Sequence, residues 1–153
     1  MEYRQFGNSG ESLSRIGLGC YSMSGAYGAA DDTESIATIH RAIERGVTLF
    51  DTSASYGQGH NHRLIGKAIK DRRDKVFIHS KSGTIRSAGG SVAEGSGTPD
   101  RLREICELSL KNLGIDALDV FCMSRVDPSV PIEESVGAMA RLVDDGKTRF
   151  ISL

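Results

Sequence analysis

A chain of 153 residues with net charge −1, and 25% charged residues in no single-sign block, can form one domain with a sizeable core. It is a poor match for nucleic acid or an anionic membrane surface. Cys20, Cys106 and Cys122 are odd in number and far apart, which indicates neither a disulfide framework nor a paired zinc site; reduced thiols in a cytoplasmic protein are the simplest reading. The opening MEYRQFGNSG carries acid and lacks an apolar stretch, which argues against a signal peptide. No apolar run approaches the ~20 residues of a membrane span.

Glu2–Phe6 and Leu13–Ile16 flank the turn residues Gly7, Asn8, Ser9 and Gly10 and predict a leading β-hairpin. Ile16–Cys20 predicts a short strand. Asp32, Thr33 and Glu34 offer a cap before a helix over Ser35–Arg45, where Ile36, Ile39, Ala42 and Ile43 recur at helical spacing and Gly46 stops the run. Val47–Thr52 predicts a second strand. The next helix spans about Asn61 to Lys70, with Leu64, Ile65, Ala68 and Ile69 on one face. Val76–Lys81 is a third strand, and the Gly/Ser-rich loop Gly83–Gly97 leads to a helix from Pro99 and Asp100 to Leu113, closed by Gly114. Ala117–Ser124 is a fourth strand, Pro131 opens a fourth helix ending near Gly146, and Arg149–Leu153 is a fifth strand.

Strand alternating with helix on short connections predicts right-handed crossovers and a parallel sheet in a single domain over 1–153. The Gly83–Gly97 loop is its one long connection and is expected beside a substrate. A doubly wound nucleotide fold would show G-x-G-x-x-G after its first strand; Gly17-Leu18-Gly19-Cys20-Tyr21-Ser22 lacks the third glycine. The chemically capable residues lie instead at successive strand ends: Cys20 and Tyr21, Asp51 with Tyr56, Lys81, then Ser124 and Arg125. In a (β/α)8 barrel that rim carries the active site. Singly, Asp51 could cap a loop, Lys81 could be solvated and Tyr56 could pack on a helix; together they favour a rim site.

Five stretches carry a resemblance: GLGCYSMSGAYG (Gly17–Gly28), FDTSASYGQGHNHRLIGKAI (Phe50–Ile69), VFIHSKSG (Val76–Gly83), SLKNLGIDALDVF (Ser109–Phe121) and RVDPSVPIEESVGAM (Arg125–Met139). In this order they resemble the aldo-keto reductase family, in particular its bacterial and plant general oxidoreductases. The resemblance implies a (β/α)8 barrel and NADP(H)-dependent reduction of a small-molecule carbonyl. Matched motif by motif, it implies that Asp51, Tyr56 and Lys81 hold three of four catalytic places, and that Gly19, Cys20, Tyr21 and Asp51 lie at the nicotinamide end of the cofactor. A tyrosine hydroxyl beside an ammonium can give and recover a proton nearer neutrality, and Asp51 would hold Lys81 charged and oriented.

The chain departs from the family at the fourth place, usually histidine, where it has Ser124; weakened or altered carbonyl reduction is expected. His62 and Arg63 stand where the family commonly has acids at a helix N-terminus. Strand alternation puts His79 on the same face as Lys81, where it could supply an imidazole, although a packed interior histidine is the favoured reading. His60 and His62 lack a third partner for a metal, so a solvated loop is expected there and no metal site.

Only five of the family's eight strands are present, in a fold of typically ~250 residues, and the groups that hold the cofactor's phosphates lie mostly in the others. NADP(H) binding by this chain alone is expected to be weak. Two exposed sheet edges, with Val120 and Cys122 facing water, would call for a homodimer or a second chain completing the barrel; the alternative is a polypeptide cut short. Two further functions stay open: a non-redox acid–base enzyme such as a dehydratase, isomerase or cyclase, and a non-catalytic subunit.

Overall fold

The computed structural model describes residues 1–83 and 95–153. The expected hairpin forms from β1 (Tyr3–Gln5) and β2 (Ser12–Ser14), antiparallel with Arg4 opposite Leu13. The rest of the chain runs β3 (Leu18–Gly19), α1 (Asp32–Glu44), β4 (Leu49–Asp51), α2 (His60–Ile69), β5 (Phe77–Lys81), α3 (Pro99–Leu113), β6 (Leu118–Cys122), α4 (Ile132–Asp144) and β7 (Thr148–Ser152). The strands from β3 onward form one parallel sheet in the order β3-β4-β5-β6-β7. Sequential order with a helix after each of the first four strands is the wall of a (β/α)8 barrel.

Local chemistry sets the boundaries. The α1 cap is Asp31, one residue before the predicted group; its carboxylate accepts the Glu34 N–H at 2.8 Å, while Asp32 and Glu34 fill the acidic first turn. Pro99 opens α3, and Gly114, at φ 66°, closes it in the left-handed region. β3 keeps only Leu18 and Gly19 of the predicted strand, because Ile16 lies 65% exposed before it and Tyr21–Ser24 coils into a 3₁₀ turn after it.

One face of the sheet packs on the helices. Phe50, Ile78 and Phe121 point that way and meet Ile39, Ile65, Ile69, Leu102 and Met139, all fully buried. The helices themselves lie close: a Cβ added to Gly66 of α2 would sit 2.2 Å from the Leu113 carbonyl oxygen at the end of α3. At the carboxyl-end side, buried Asp127 accepts from the Gly97 and Ser129 N–H groups and from the Ser96 and Ser129 hydroxyls. This joins the start of the α3 segment to the loop after β6. The Ser129 hydroxyl, followed by the backbone donors and Ser96 and opposed by burial, holds the Asp127 carboxyl down at about 2.

The other face corrects an expectation. Val120 and Cys122 do not face water; they are 2% and 8% exposed. Val120 belongs to a cluster with Leu13, Leu49, Phe77 and Phe150. Phe6 of the hairpin adds its ring edge-on, 5.3 Å from Phe77 and 5.4 Å from Phe150. The hairpin therefore plugs the amino-end side of the inner face, where aromatic burial and edge-to-face geometry both favour it. Below it Asp119, 3% exposed, accepts from the Ile78 N–H at 2.7 Å and pairs with Arg73 at 2.7 Å and Arg149 at 3.1 Å. No helix among the described residues is long and apolar enough to cross a membrane.

Candidate active site

Period-two alternation brings Asp51 of β4, His79 and Lys81 of β5, Cys122 of β6 and Ser152 of β7 onto one face near the carboxyl ends of their strands. The Lys81 ammonium donates to Asp51 Oδ1 at 2.5 Å, and His79 Nδ1 meets the same oxygen at 2.7 Å. His79 Nε2 lies 3.4 Å from the Ser152 hydroxyl. His79 is thus a bonded member of the cluster, not the packed interior histidine favoured from sequence.

Burial alone would favour a neutral Asp51, yet the hydrogen bonds from His79 and Lys81 hold its carboxyl below the usual carboxylate range. The same contact with Asp51, aided by Cys122 and opposed by burial, pushes the His79 imidazole up to about 9. A folded pKa above the ordinary 6.5 means that the stabilisation from His79 is complete below about 6.5 and fades as pH rises through about 9. NMR titration of the imidazole is expected to find the ring still cationic at about pH 7.5. Asp51→Asn should return the midpoint toward that of an ordinary histidine. A wild-type midpoint at the ordinary 6.5 would contradict the assignment.

Tyr56 sits at the start of a 3₁₀ turn, Tyr56–Gly59, whose Gly57 and Gln58 take left-handed φ values of 55° and 52°. At Gly57 a Cβ would meet Ser24 Cβ at 2.9 Å, so this tight turn needs glycine and aims the tyrosine. The Lys81 ammonium lies 5.3 Å from the Tyr56 ring centroid, a cation over the aromatic face. Tyr21, 45% exposed, tilts against Tyr56 at 4.5 Å. Behind them Asn61, wholly buried, donates to the Cys20 carbonyl at 2.8 Å and to the Ser24 hydroxyl at 2.9 Å and accepts from Thr52 at 2.7 Å. Sequence reasoning missed this tie between two strand ends; a polar amide just before the apolar face of α2 was its only trace.

The other predicted positions separate. Gly19 faces open space, with nothing within 4 Å of an added Cβ. Cys20 points into the helix-side core, fully buried, and burial first, then Asp51, pushes its thiol up to about 12. Ser124 lies two residues past β6, half-buried, with its N–H 3.4 Å from the Ser82 hydroxyl. His60 and His62 are not in a solvated loop. They begin α2, where His60 meets Ser24 and Asp32. His62 is fully buried against the Ser80 hydroxyl at 2.9 Å, and burial lowers its imidazole to about 4. Among the described residues no group of His, Cys, Asp or Glu could hold a metal ion. Of the predicted Gly83–Gly97 loop, residues 84–94 lie outside the described residues.

A parallel barrel wall with Asp51, His79 and Lys81 clustered at the carboxyl ends of its strands defines the class of fold, and comparison with known proteins narrows it. The sequence matches the aldo/keto reductase family over residues 15–153. A probable aldo-keto reductase of Glycine max is 39% identical over 151 residues, covering 97% of this chain and 43% of the relative. An aldo-keto reductase from Bacillus halodurans in its holo form superposes with a TM-score of 0.86 at 28% identity, over 99% of this chain and 49% of that one. One from Klebsiella pneumoniae in complex with NADPH superposes with a TM-score of 0.76 at 30% identity, over 92% of this chain and 45% of that one. The chain belongs to the aldo/keto reductase family, and it spans less than half the length of these relatives.

Proposed function

We propose that this chain carries the acid–base side of an NADP(H)-dependent site that reduces the carbonyl of a small molecule, with its output lowered by Ser124. The observation that supports the reading most is the Lys81–Asp51 contact at 2.5 Å, with the Lys81 ammonium over the Tyr56 ring. Tyr56 gives its proton to the carbonyl oxygen as negative charge develops there. Lys81 supplies the nearby positive charge, and Asp51 fixes the ammonium. The open space at Gly19 and the exposed Tyr21 ring fit the nicotinamide end of a dinucleotide. When bound, NADPH would supply the hydride.

Among the described residues the outer strands β3 and β7 each pair on one side only. In this proposal further polypeptide, a second copy or another chain, lies against them and adds the remaining cofactor contacts. The second reading is acid–base chemistry without redox, such as dehydration or isomerisation, favoured by the hydroxyl of Ser124 at the place of an imidazole.

Incubation with a small aldehyde and NADPH deuterated at the transferable position separates the two. Deuterium on the carbinol carbon of the product alcohol supports reduction. Product formed without NADPH consumption supports the second reading, and no turnover of either kind favours a non-catalytic subunit.

A further inference from the structure

Outside the Asp51–His79–Lys81 cluster, one histidine bridges a hydroxyl and a carboxylate. His60 Nδ1 lies 2.9 Å from the Ser24 hydroxyl, and its Nε2 lies 3.0 Å from Asp32 Oδ1. We infer that Ser24, His60 and Asp32 form a nucleophile–base–acid relay that hydrolyses small aryl esters through an acyl-Ser24 intermediate.

Three elements converge to build it. Ser24 ends the 3₁₀ turn after β3, Asp32 opens α1 and His60 opens α2. A Cβ added to Gly57 would sit 2.9 Å from Ser24 Cβ and 3.0 Å from His60 Cβ, so a side chain there would push the pair apart. Neighbouring Asn61 fixes the protons. Its Nδ2 donates to the Cys20 carbonyl at 2.8 Å, so the Ser24 oxygen, 2.9 Å from the same nitrogen, accepts as well. The one Ser24 hydroxyl proton is left for His60 Nδ1, and Nε2–H is left for the Asp32 carboxylate. These are the roles of nucleophile, general base and orienting acid. The two ring nitrogens are exchanged relative to the usual serine-hydrolase triad, and the direction of proton transfer is the same.

Among the described residues no side chain caps the amino end of α2, which leaves its first-turn N–H groups for negative charge developing at Ser24. Tyr21 and Tyr27, 45% and 82% exposed with rings 5.6 Å apart, flank Ser24 in sequence and suit an aromatic group. The His60 and Asp32 side chains are 37% and 61% exposed. The relay therefore stands open to the water that hydrolysis consumes, and its rate falls well below that of an enclosed triad. Ser22, exposed on the same turn, serves as an internal reference.

The step is acyl transfer. Ser24 Oγ forms a bond to the ester carbonyl carbon as His60 Nδ1 takes the hydroxyl proton. The tetrahedral intermediate then breaks its bond to the alcohol oxygen, which takes that proton as it leaves. Water attacks the acyl-serine with His60 again as base, releasing the carboxylic acid and free Ser24. Nothing is oxidised or reduced. This inference goes beyond carbonyl reduction and needs no bound cofactor.

The probes, applied to the full chain without added cofactor, are p-nitrophenyl acetate and diisopropyl fluorophosphate. The first is read as released p-nitrophenolate, the second as an adduct located by tandem mass spectrometry. The adduct is expected on Ser24, formed at least about tenfold faster than on Ser22. Ser24→Ala should lose that adduct and most of the ester turnover. His60→Gln, shown to be folded by circular dichroism, should slow both at least about tenfold, and Asp32→Asn should slow them less. No adduct on Ser24, equal labelling of Ser22 and Ser24, or an unchanged rate in His60→Gln would each overturn the inference. Should His60→Gln fail to fold, the wild-type ratio of Ser24 to Ser22 labelling alone decides.

Discussion

Tyr56→Phe and Lys81→Met are each expected to lower NADPH-dependent aldehyde reduction by about 10² to 10⁴-fold in kcat, the usual worth of a positioned proton donor. Tyr56→Phe keeps the ring that packs against Tyr21 and under the Lys81 charge and removes only the hydroxyl, so KM should move little. Lys81→Met leaves Asp51 with His79 as its remaining cation. The proton donor then loses its neighbouring ammonium while the fold keeps its ion pair. Because the two residues act as one unit, the double variant should fall little below either single one. Steady-state rates of the three variants check this. Full activity in Tyr56→Phe would remove the tyrosine from the chemistry.

Asp119→Ala is the substitution expected to cost the most stability, about 3 kcal/mol by urea denaturation. The carboxylate is buried, and one of its oxygens takes both the Ile78 N–H and Arg73. Its loss leaves a buried backbone donor on a central strand without a partner. Arg73 and Arg149 are 31% and 45% exposed at their side chains and recover water, which keeps the cost below that of a wholly buried pair. Asp119→Asn should fall between the wild type and Asp119→Ala. A change in Asp119→Ala under about 1 kcal/mol would show that the sheet does not depend on this junction.

The α/β order was readable because helical and strand periods alternate without ambiguity: Leu64, Ile65, Ala68 and Ile69 line the buried face of α2, and each strand ends at a residue of different chemistry. The Asp51–Lys81 pairing was equally legible, since adjacent parallel strands in register place their carboxyl ends side by side.

What was hidden is what depends on distance and cover. Alternation put His79 on the right face but could not say that its ring would reach the Asp51 oxygen already held by Lys81. Val120 is buried in a cluster with Leu13 of the hairpin, a residue more than a hundred positions away, and with Leu49, Phe77 and Phe150. His62 looked like a loop residue because it is polar. One turn into α2 it faces the sheet, and a single hydroxyl on β5, Ser80, satisfies one of its nitrogens. These are tertiary matches between residues with no sequence-local signal.

The most direct test of the central claim, that this chain presents a cofactor-facing acid–base site, is a fluorescence titration with NADPH. Saturable binding is expected, weakened to somewhere between micromolar and about millimolar because many cofactor contacts would come from further polypeptide. No signal at about millimolar NADPH would contradict it.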